Sequence, residues 1–131
     1  MDLEILKIAS DNNNKHIQNY THRSKLKNHL CGDEIQIKMI IESDKILEFA
    51  YEGKSCVYCQ AAANLLSKIS INKKKSKVNE LCDDAKLFFE SNVDFNKKKW
   101  KLMNKIFKSK NKSRKECILL PFKAAKKIVS D

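Results

Sequence analysis

Apolar and polar residues alternate in three consecutive stretches in the first half of the chain, a period of two that is typical of β-strands with one buried face. The predicted strands cover residues 20–27, 34–41 and 46–52, with a turn at residues 43–45. In the clearest strand, Ile35, Ile37, Met39 and Ile41 share one side. In the third strand we expect Leu47, Phe49 and Tyr51 to share the buried face. Short connections between consecutive strands predict an antiparallel meander.

Apolar residues recur at helical spacing in four other stretches. The predicted helices cover Leu3–Ala9, Cys56–Ile69, Val78–Phe89 and Cys117–Val129, and a polar break at Asp11–Asn14 ends the first. Pro121 lies near the start of the last predicted helix, where a missing amide is tolerated. The lysine-rich residues 92–113 include Trp100 and Phe107, so we expect this segment to pack rather than to form a free linker. Strands followed by helices predict an α+β fold, with helices packed on one face of a small antiparallel three-stranded sheet.

Composition limits the size and the setting of this fold. The 131 residues are 42% hydrophobic, enough for one modest core, so we expect a single domain over residues 1–131. The chain opens with acidic residues, and no run is long or apolar enough to cross a membrane, which predicts a cytoplasmic protein without a signal peptide. The five cysteines are an odd number, and in a reducing compartment cysteines serve metal binding or catalysis more often than disulfides.

The net charge of +11 raises the alternative of a basic nucleic-acid-binding protein. Arg23 and Arg114 are the only arginines, however, and base recognition usually relies on the arginine fork. We therefore interpret the lysines as a solvated surface and do not expect a nucleic-acid partner. The sequence contains no glycine-rich phosphate loop and no Ser/His/Asp set, so a stand-alone enzyme with its own small-molecule pocket is not predicted.

Three of the cysteines lie where a regular element begins. Cys31, in the tripeptide Cys31-Gly32-Asp33, precedes the clearest strand, Cys56 begins a helix after the hairpin, and Cys117 begins the last helix. A helix N-terminus lowers the pKa of a thiol, and the two basic residues before Cys117 favour its thiolate further. Three thiols of low pKa and one carboxylate match the donors that bind zinc or iron. On spacing alone, ordinary half-buried cysteines stay open as the alternative.

The other two cysteines have simpler interpretations. Cys59 follows Cys56 by one helical turn, as in a redox Cys-x-x-Cys motif, but no βαβ pattern surrounds the pair. A packed small side chain is the favoured interpretation of Cys59, with a spare ligand or a resolving thiol as alternatives. Cys82 falls on the apolar stripe of its helix, and we expect it in the core.

Taken together, the cysteine motifs resemble the U-type iron–sulfur assembly family, which comprises IscU, SufU and the NifU N-terminal domain. The similar segments are Leu30-Cys31-Gly32-Asp33, Tyr51-Glu52-Gly53-Lys54-Ser55-Cys56, Gln60-Ala61-Ala62-Ala63 and Arg114-Lys115-Glu116-Cys117, within residues 25–129. The 61 positions from Cys56 to Cys117 resemble the SufU-like branch, which has an insertion there. His29 replaces a common proline, and Glu116 stands where the IscU branch has a histidine, so no histidine ligand is expected at that position.

The resemblance implies a NifU-N/SufU-like fold and a role in iron–sulfur cluster assembly. It implies that Cys31, Asp33, Cys56 and Cys117 bind zinc, iron or a transient [2Fe–2S] cluster, with Cys31 as the candidate persulfide acceptor and Cys117 as the alternative. The implied partners are a cysteine desulfurase of the SufS, IscS or NifS type and downstream cluster-assembly or acceptor proteins. A small structural zinc domain is a further alternative. It predicts loss of folding without metal and no effect on desulfurase turnover.

Overall fold

The computed structural model describes residues 2–11 and 17–130. Its elements, in chain order, are α1 (Leu3–Ser10), β1 (His22–Lys27), β2 (Glu34–Glu42), β3 (Lys45–Glu52), α2 (Val57–Ser70), α3 (Lys75–Ser91) and α4 (Lys115–Val129). Two short 3-10 helices, Lys101–Lys105 and Ser109–Arg114, lie between α3 and α4. The predicted order of strands and helices is confirmed. Asn12, Asn13 and Asn14 of the predicted polar break lie outside the described residues.

The sheet is an antiparallel meander with the strand order β1-β2-β3, as predicted. Ile35, Ile37 and Met39 point to its buried face and are at most 2% exposed. Ser43 and Asp44 connect β2 to β3, and both have positive φ, as a type I′ hairpin turn requires. The turn therefore sets the register of the two longest strands.

The buried face of β3 differs from the prediction. The register shifts after the Ile41–Ile46 pair, which leaves Leu47 as the extra residue of a β-bulge. Ile46 is consequently fully buried and Leu47 is 36% exposed, whereas Phe49 is buried as predicted. The prediction for Leu47 was wrong because strict alternation does not account for an inserted residue, which moves its neighbours to the opposite face.

The helices form a layer on one face of the sheet, which confirms the predicted α+β architecture. In this layer α2 packs against β3, and α4 packs against β1 and β2. Outside them, α1 flanks α2, and α3 flanks α4. Ala61, Ala62 and Ala63 of α2 are fully buried, and their small side chains allow close packing of the helix. Within residues 2–11 and 17–130, every helix is too short or too polar to cross a membrane.

The lysine-rich residues 92–113 pack onto the core, as predicted. Trp100 and Phe107 are 3% and 4% exposed, and Phe107 stacks on Phe88 with 5.7 Å between the ring centroids. The Trp100 Nε1–H donates to Asp84 Oδ2 at 2.7 Å, which satisfies the one polar group of the buried indole. Both rings therefore belong to the core.

Pro121 lies inside α4 rather than near its start, so this prediction was wrong. The helix begins at Lys115, two residues before Cys117, and Pro121 is its seventh residue. Because proline has no amide hydrogen, the Cys117 carbonyl lacks the donor that a regular α-helix would give it. The added helical positions are Lys115 and Glu116, and Arg114 is the N-cap.

Candidate metal centre

The predicted ligands lie close together in the fold. They are located on the β1–β2 loop, at the start of α2 and at the start of α4. The Sγ atoms of Cys31 and Cys117 and a carboxylate oxygen of Asp33 lie within 4.8 Å of one another. Cys56 does not belong to this closest group, but its side chain is near enough to Cys117 to raise the pKa of that thiol. Three candidate ligands are thus assembled, and the fourth is adjacent to them.

Asn28 holds the loop that carries Cys31. Its backbone N–H donates to the Asp33 carbonyl at 2.8 Å, and its own carbonyl accepts from the Gly32 N–H at 2.8 Å. The Asn28 Oδ1 atom accepts from the Leu30 N–H at 2.9 Å, and Gly32 adopts a φ of 79°. Sequence reasoning missed Asn28. Asparagine favours turns because its side chain can accept a hydrogen bond from the backbone N–H two residues later. Its presence just before the Cys31 loop was the signal that the sequence offered.

Gly53 fixes the connection from β3 to α2 against the first residue of β2. Its φ is 147°, and a Cβ atom at this position would lie 2.1 Å from the Glu34 carbonyl oxygen. Beside this contact, the Glu34 N–H donates to the Lys54 carbonyl at 2.9 Å. Cys56, the N-cap of α2, lies three residues after Gly53. The close backbone approach at Gly53 therefore holds Cys56 next to the β1–β2 loop.

The four side chains differ in their exposure to solvent. Cys31 is exposed and Cys56 is half-buried, whereas Cys117 and Asp33 are 9% and 8% exposed. Asp33 Oδ2 is buried and has no hydrogen-bond partner within the described part of the chain. A buried carboxylate oxygen without a donor is costly, and a cation beside it would remove that cost. The unpaired oxygen and the neighbouring thiols fit zinc or iron, which bind sulfur and carboxylate oxygen.

The protonation of Cys117 differs from the prediction. Burial is the main cause that raises its pKa above the ordinary thiol value, and the hydrogen bond with Cys56 and the charges of the other pocket residues raise it further. The guanidinium of Arg114 lies 5.3 Å from the ring centroid of Tyr58, with which it forms a cation–π contact. The prediction of a low pKa for Cys117 was therefore wrong, because burial outweighs the neighbouring basic residues.

Cys59 and Cys82 lie outside the closest ligand group. Cys59 is fully buried, and burial raises its pKa to about 12 despite a hydrogen bond with the Ser55 side chain. Cys82 in α3 is 4% exposed, and burial likewise raises its pKa to about 12. Both residues are packed side chains, which confirms the favoured interpretations.

Sequence comparison identifies relatives of this chain. Residues 5–89 match the family model described as the NifU-like N terminal domain, a range that includes Cys31, Asp33 and Cys56. An uncharacterized protein of Borreliella burgdorferi is 32% identical over 109 residues, which are 83% of this chain and 72% of that protein. The iron-sulfur cluster assembly scaffold protein IscU of Thermotoga maritima is 29% identical over 101 residues, which are 76% of this chain and 70% of that protein.

Structural comparison extends the similarity to the rest of the chain. A candidate iron-sulfur cluster assembly scaffold protein for the SUF system from Fervidobacterium islandicum superposes with a TM-score of 0.85 at 26% identity. The superposition covers 95% of this chain and 93% of that chain. The N-terminal part of a NifU-like protein from Brucella abortus gives a TM-score of 0.84 at 17% identity over 98% of this chain and 91% of its own, which supports the fold alone.

Proposed function

The chain belongs to the NifU-like N-terminal domain family, and from this premise we propose that it is an iron–sulfur cluster assembly scaffold. In this proposal Cys31, Asp33, Cys56 and Cys117 hold a metal ion or a nascent cluster, and a cysteine desulfurase supplies the sulfur. The observation that carries the proposal is the convergence of two thiols and a carboxylate within 4.8 Å, with the buried Asp33 Oδ2 unpaired. Downstream assembly or acceptor proteins would receive the cluster as cargo.

The chemistry of the four side chains suits temporary binding. Thiolates form strong bonds to zinc, iron and iron–sulfur clusters, whereas a carboxylate oxygen is a harder and weaker ligand for the same sites. Asp33 is therefore the ligand that exchanges most easily. Burial favours the protonated form of Cys117. A bound metal would instead stabilise its thiolate form.

Cys31 is the thiol best placed to accept sulfur, because it is exposed while Cys117 is buried. In the transfer step, the Cys31 thiolate attacks the outer sulfur of the persulfide on the desulfurase cysteine. The sulfur–sulfur bond of the donor breaks, and the donor cysteine leaves as a thiolate. The product is a persulfide on Cys31, and the exchange requires no external oxidant or reductant. Cys117 is the alternative acceptor.

Metal and acid-labile sulfide analysis after anaerobic purification tests this proposal, together with desulfurase turnover. Zinc without sulfide, combined with stimulated turnover, would select sulfur transfer, and a retained cluster would select the scaffold role. Metal-dependent folding without any effect on desulfurase turnover would instead select a structural zinc domain. A protein that binds neither metal nor cluster and accepts no sulfur would contradict the proposal.

Two variants, Cys31→Ser and Asp33→Ala, separate the roles of the pocket residues, and Cys82→Ala is a matched control outside the pocket. We expect Cys31→Ser to abolish persulfide labelling by mass spectrometry, and Cys82→Ala to retain it. We expect Asp33→Ala to weaken zinc binding by roughly tenfold or more. The same change removes an unsatisfied buried oxygen, so the metal-free variant should be about 1–3 kcal/mol more stable than the metal-free parent. A less stable metal-free variant would contradict this account of Asp33.

The alternative of single-stranded nucleic-acid binding receives no structural support. Such binding uses exposed aromatic rings on which bases stack. Among the described residues, Tyr20 is the most exposed aromatic residue, at only 38%, and Trp100 and Phe107 lie in the core.

A further inference from the structure

β1 is an edge strand whose outward-facing side chains are all basic. Arg23, Lys25 and Lys27 are exposed, and Ser24 between them is buried against the helices. Successive outward-facing side chains on one strand are about 7 Å apart, so the three cationic groups form a stripe about 14 Å long. The strand then leads directly into the loop that carries Cys31. We call these three residues the basic stripe.

The neighbouring strand increases the positive charge at the far end of the basic stripe. Arg23 lies directly opposite Lys38, a cross-strand pair of like charges. Such a pair costs stability, and the fold offers no carboxylate opposite either residue in this register. An anionic group from another molecule would relieve this repulsion.

At the end near the pocket, one carboxylate faces several cations. Lys25 forms an ion pair with Glu34, with 2.9 Å between Nζ and Oε1. This hydrogen-bonded ion pair, and then the charges of Lys27 and Lys54, hold the pKa of Glu34 below its usual value. Glu34 therefore neutralises one of these three lysines, and the rim of the pocket retains positive charge.

The opposite edge of the sheet has the opposite charge. Glu48 and Glu52 of β3 lie opposite Ile40 and Gln36 of β2, on the same face as the basic stripe. The outward face of the sheet is thus basic along β1 and acidic along β3. A charged partner would therefore meet this face in one preferred orientation.

An exposed apolar side chain completes the surface next to the reactive thiol. Leu30 precedes Cys31 at the tip of the loop and is 89% exposed. An apolar contact beside a cationic stripe suits a protein surface that combines acidic and apolar residues. It does not suit a nucleic-acid backbone, which offers regularly spaced phosphates and no apolar surface.

We propose that the basic stripe and Leu30 form the docking surface for an acidic segment of the protein that donates sulfur to Cys31. This inference rests on the proposed function and identifies the surface and the partner chemistry that it uses. Attraction along the stripe would raise the rate of encounter and orient the donor cysteine towards the loop. Screening by salt would weaken this attraction, because the stripe is exposed.

Two double variants with equal charge changes test the docking surface. The stripe variant combines Arg23→Glu with Lys27→Gln, and the control combines Lys98→Glu with Lys73→Gln. Lys73 and Lys98 are exposed, and Lys73 lies beyond the C-terminal end of α2, about 21 Å of helix from Cys56. Arg23→Glu creates an opposite-charge pair with Lys38, so the melting temperature of the stripe variant should confirm that it folds.

The measurement is sulfur transfer from a purified pyridoxal phosphate-dependent cysteine desulfurase of the same organism, at low and high salt. At low salt we expect the stripe variant to need roughly tenfold more protein for half-maximal turnover, with an unchanged maximal rate. We expect the control variant to change this concentration by less than about twofold. The salt dependence should decrease in the stripe variant and persist in the control.

Leu30→Ser tests the apolar part of the surface, and Leu3→Ser is its control, since Leu3 is 79% exposed on α1. We expect Leu30→Ser to raise the protein concentration needed for half-maximal turnover, and Leu3→Ser to leave it unchanged. Equal effects of the stripe and control double variants would overturn the docking proposal, because net charge would then explain both. Loss of affinity for a DNA oligonucleotide in the stripe variant, with unchanged turnover, would also overturn it. Failure of the parent protein to accept sulfur would instead refute the proposed function, which metal analysis tests separately.

Discussion

Replacing Gly53 with alanine should disrupt the pocket through the backbone, without changing any ligand. The chain contains two glycines, and both lie beside the predicted ligands: Gly32 next to Cys31, and Gly53 three residues before Cys56. A Cβ at position 53 would lie 2.1 Å from the Glu34 carbonyl oxygen, whereas a Cβ at position 32 would have no atom within 4 Å. The two positions therefore form a matched pair that separates steric conflict from backbone strain.

The expected cost of Gly53→Ala has two parts that the structure identifies. An alanine held at a φ of 147° is strained by about 1–3 kcal/mol. Displacement of the Glu34 backbone also weakens the hydrogen bond from its N–H to the Lys54 carbonyl, which contributes about 1 kcal/mol. We therefore expect a loss of at least about 2–4 kcal/mol. For Gly32→Ala, with a φ of 79° and free space, we expect about 1–2 kcal/mol.

Urea unfolding of both metal-free variants measures these costs, and zinc titration measures the pocket. We expect Gly53→Ala to lower the free energy of unfolding more than Gly32→Ala does, with an unchanged m-value. We also expect weaker zinc binding by Gly53→Ala, because Cys56 moves with the connection to α2. If Gly53→Ala is no less stable than Gly32→Ala, the close approach of Gly53 to Glu34 does not hold the fold as described.

Two further predictions concern the buried groups. In the folded metal-free protein near pH 8, iodoacetamide should modify Cys31 first and leave Cys59 and Cys82 unmodified, because burial raises both of their pKa values to about 12. Mass spectrometry checks the order, which equal labelling of Cys31 and Cys82 would contradict. Trp100→Phe should lower the free energy of unfolding by about 1.5–3 kcal/mol, because it removes the donor of a hydrogen bond to a carboxylate. Urea unfolding checks this loss, and an unchanged midpoint would contradict it.

The fold was predictable from the sequence where local pattern and tertiary packing agree. The alternation around Ile37 in β2 matches its burial, because this central strand presents one face to the helix layer. The same reasoning was wrong for Leu47, since the bulge depends on how two strands pair and not on the residues of one strand. It was also wrong for the position of Pro121, because α4 begins two residues before the apolar stripe, at the exposed residues Lys115 and Glu116, which the apolar pattern does not mark.

The candidate site was predictable as a set of motifs but not as a geometry. Cys31 and Cys117 are 86 positions apart in the sequence, and no local spacing rule indicates that their thiols meet. The family resemblance supplied that expectation. Asn28 was missed because its role is to hold backbone atoms of a loop, which leaves little trace in the composition. The basic stripe was also hidden, since the register of β1 and β2 determines which charges lie side by side.

The three thiols are unequally buried, so the pocket has a solvent-exposed side and a buried side that the sequence does not reveal. The motifs present Cys31, Cys56 and Cys117 as equivalent ligands, yet they are exposed, half-buried and buried, respectively. Sulfur delivered by another protein must reach an accessible thiol, and a metal held from inside needs ligands that solvent does not displace. Under the proposed function, Cys31 therefore meets the donor, while Cys117 anchors the cargo from within and the weaker ligand Asp33 exchanges when the cargo leaves. The basic stripe ends beside the exposed thiol, as this division of roles requires.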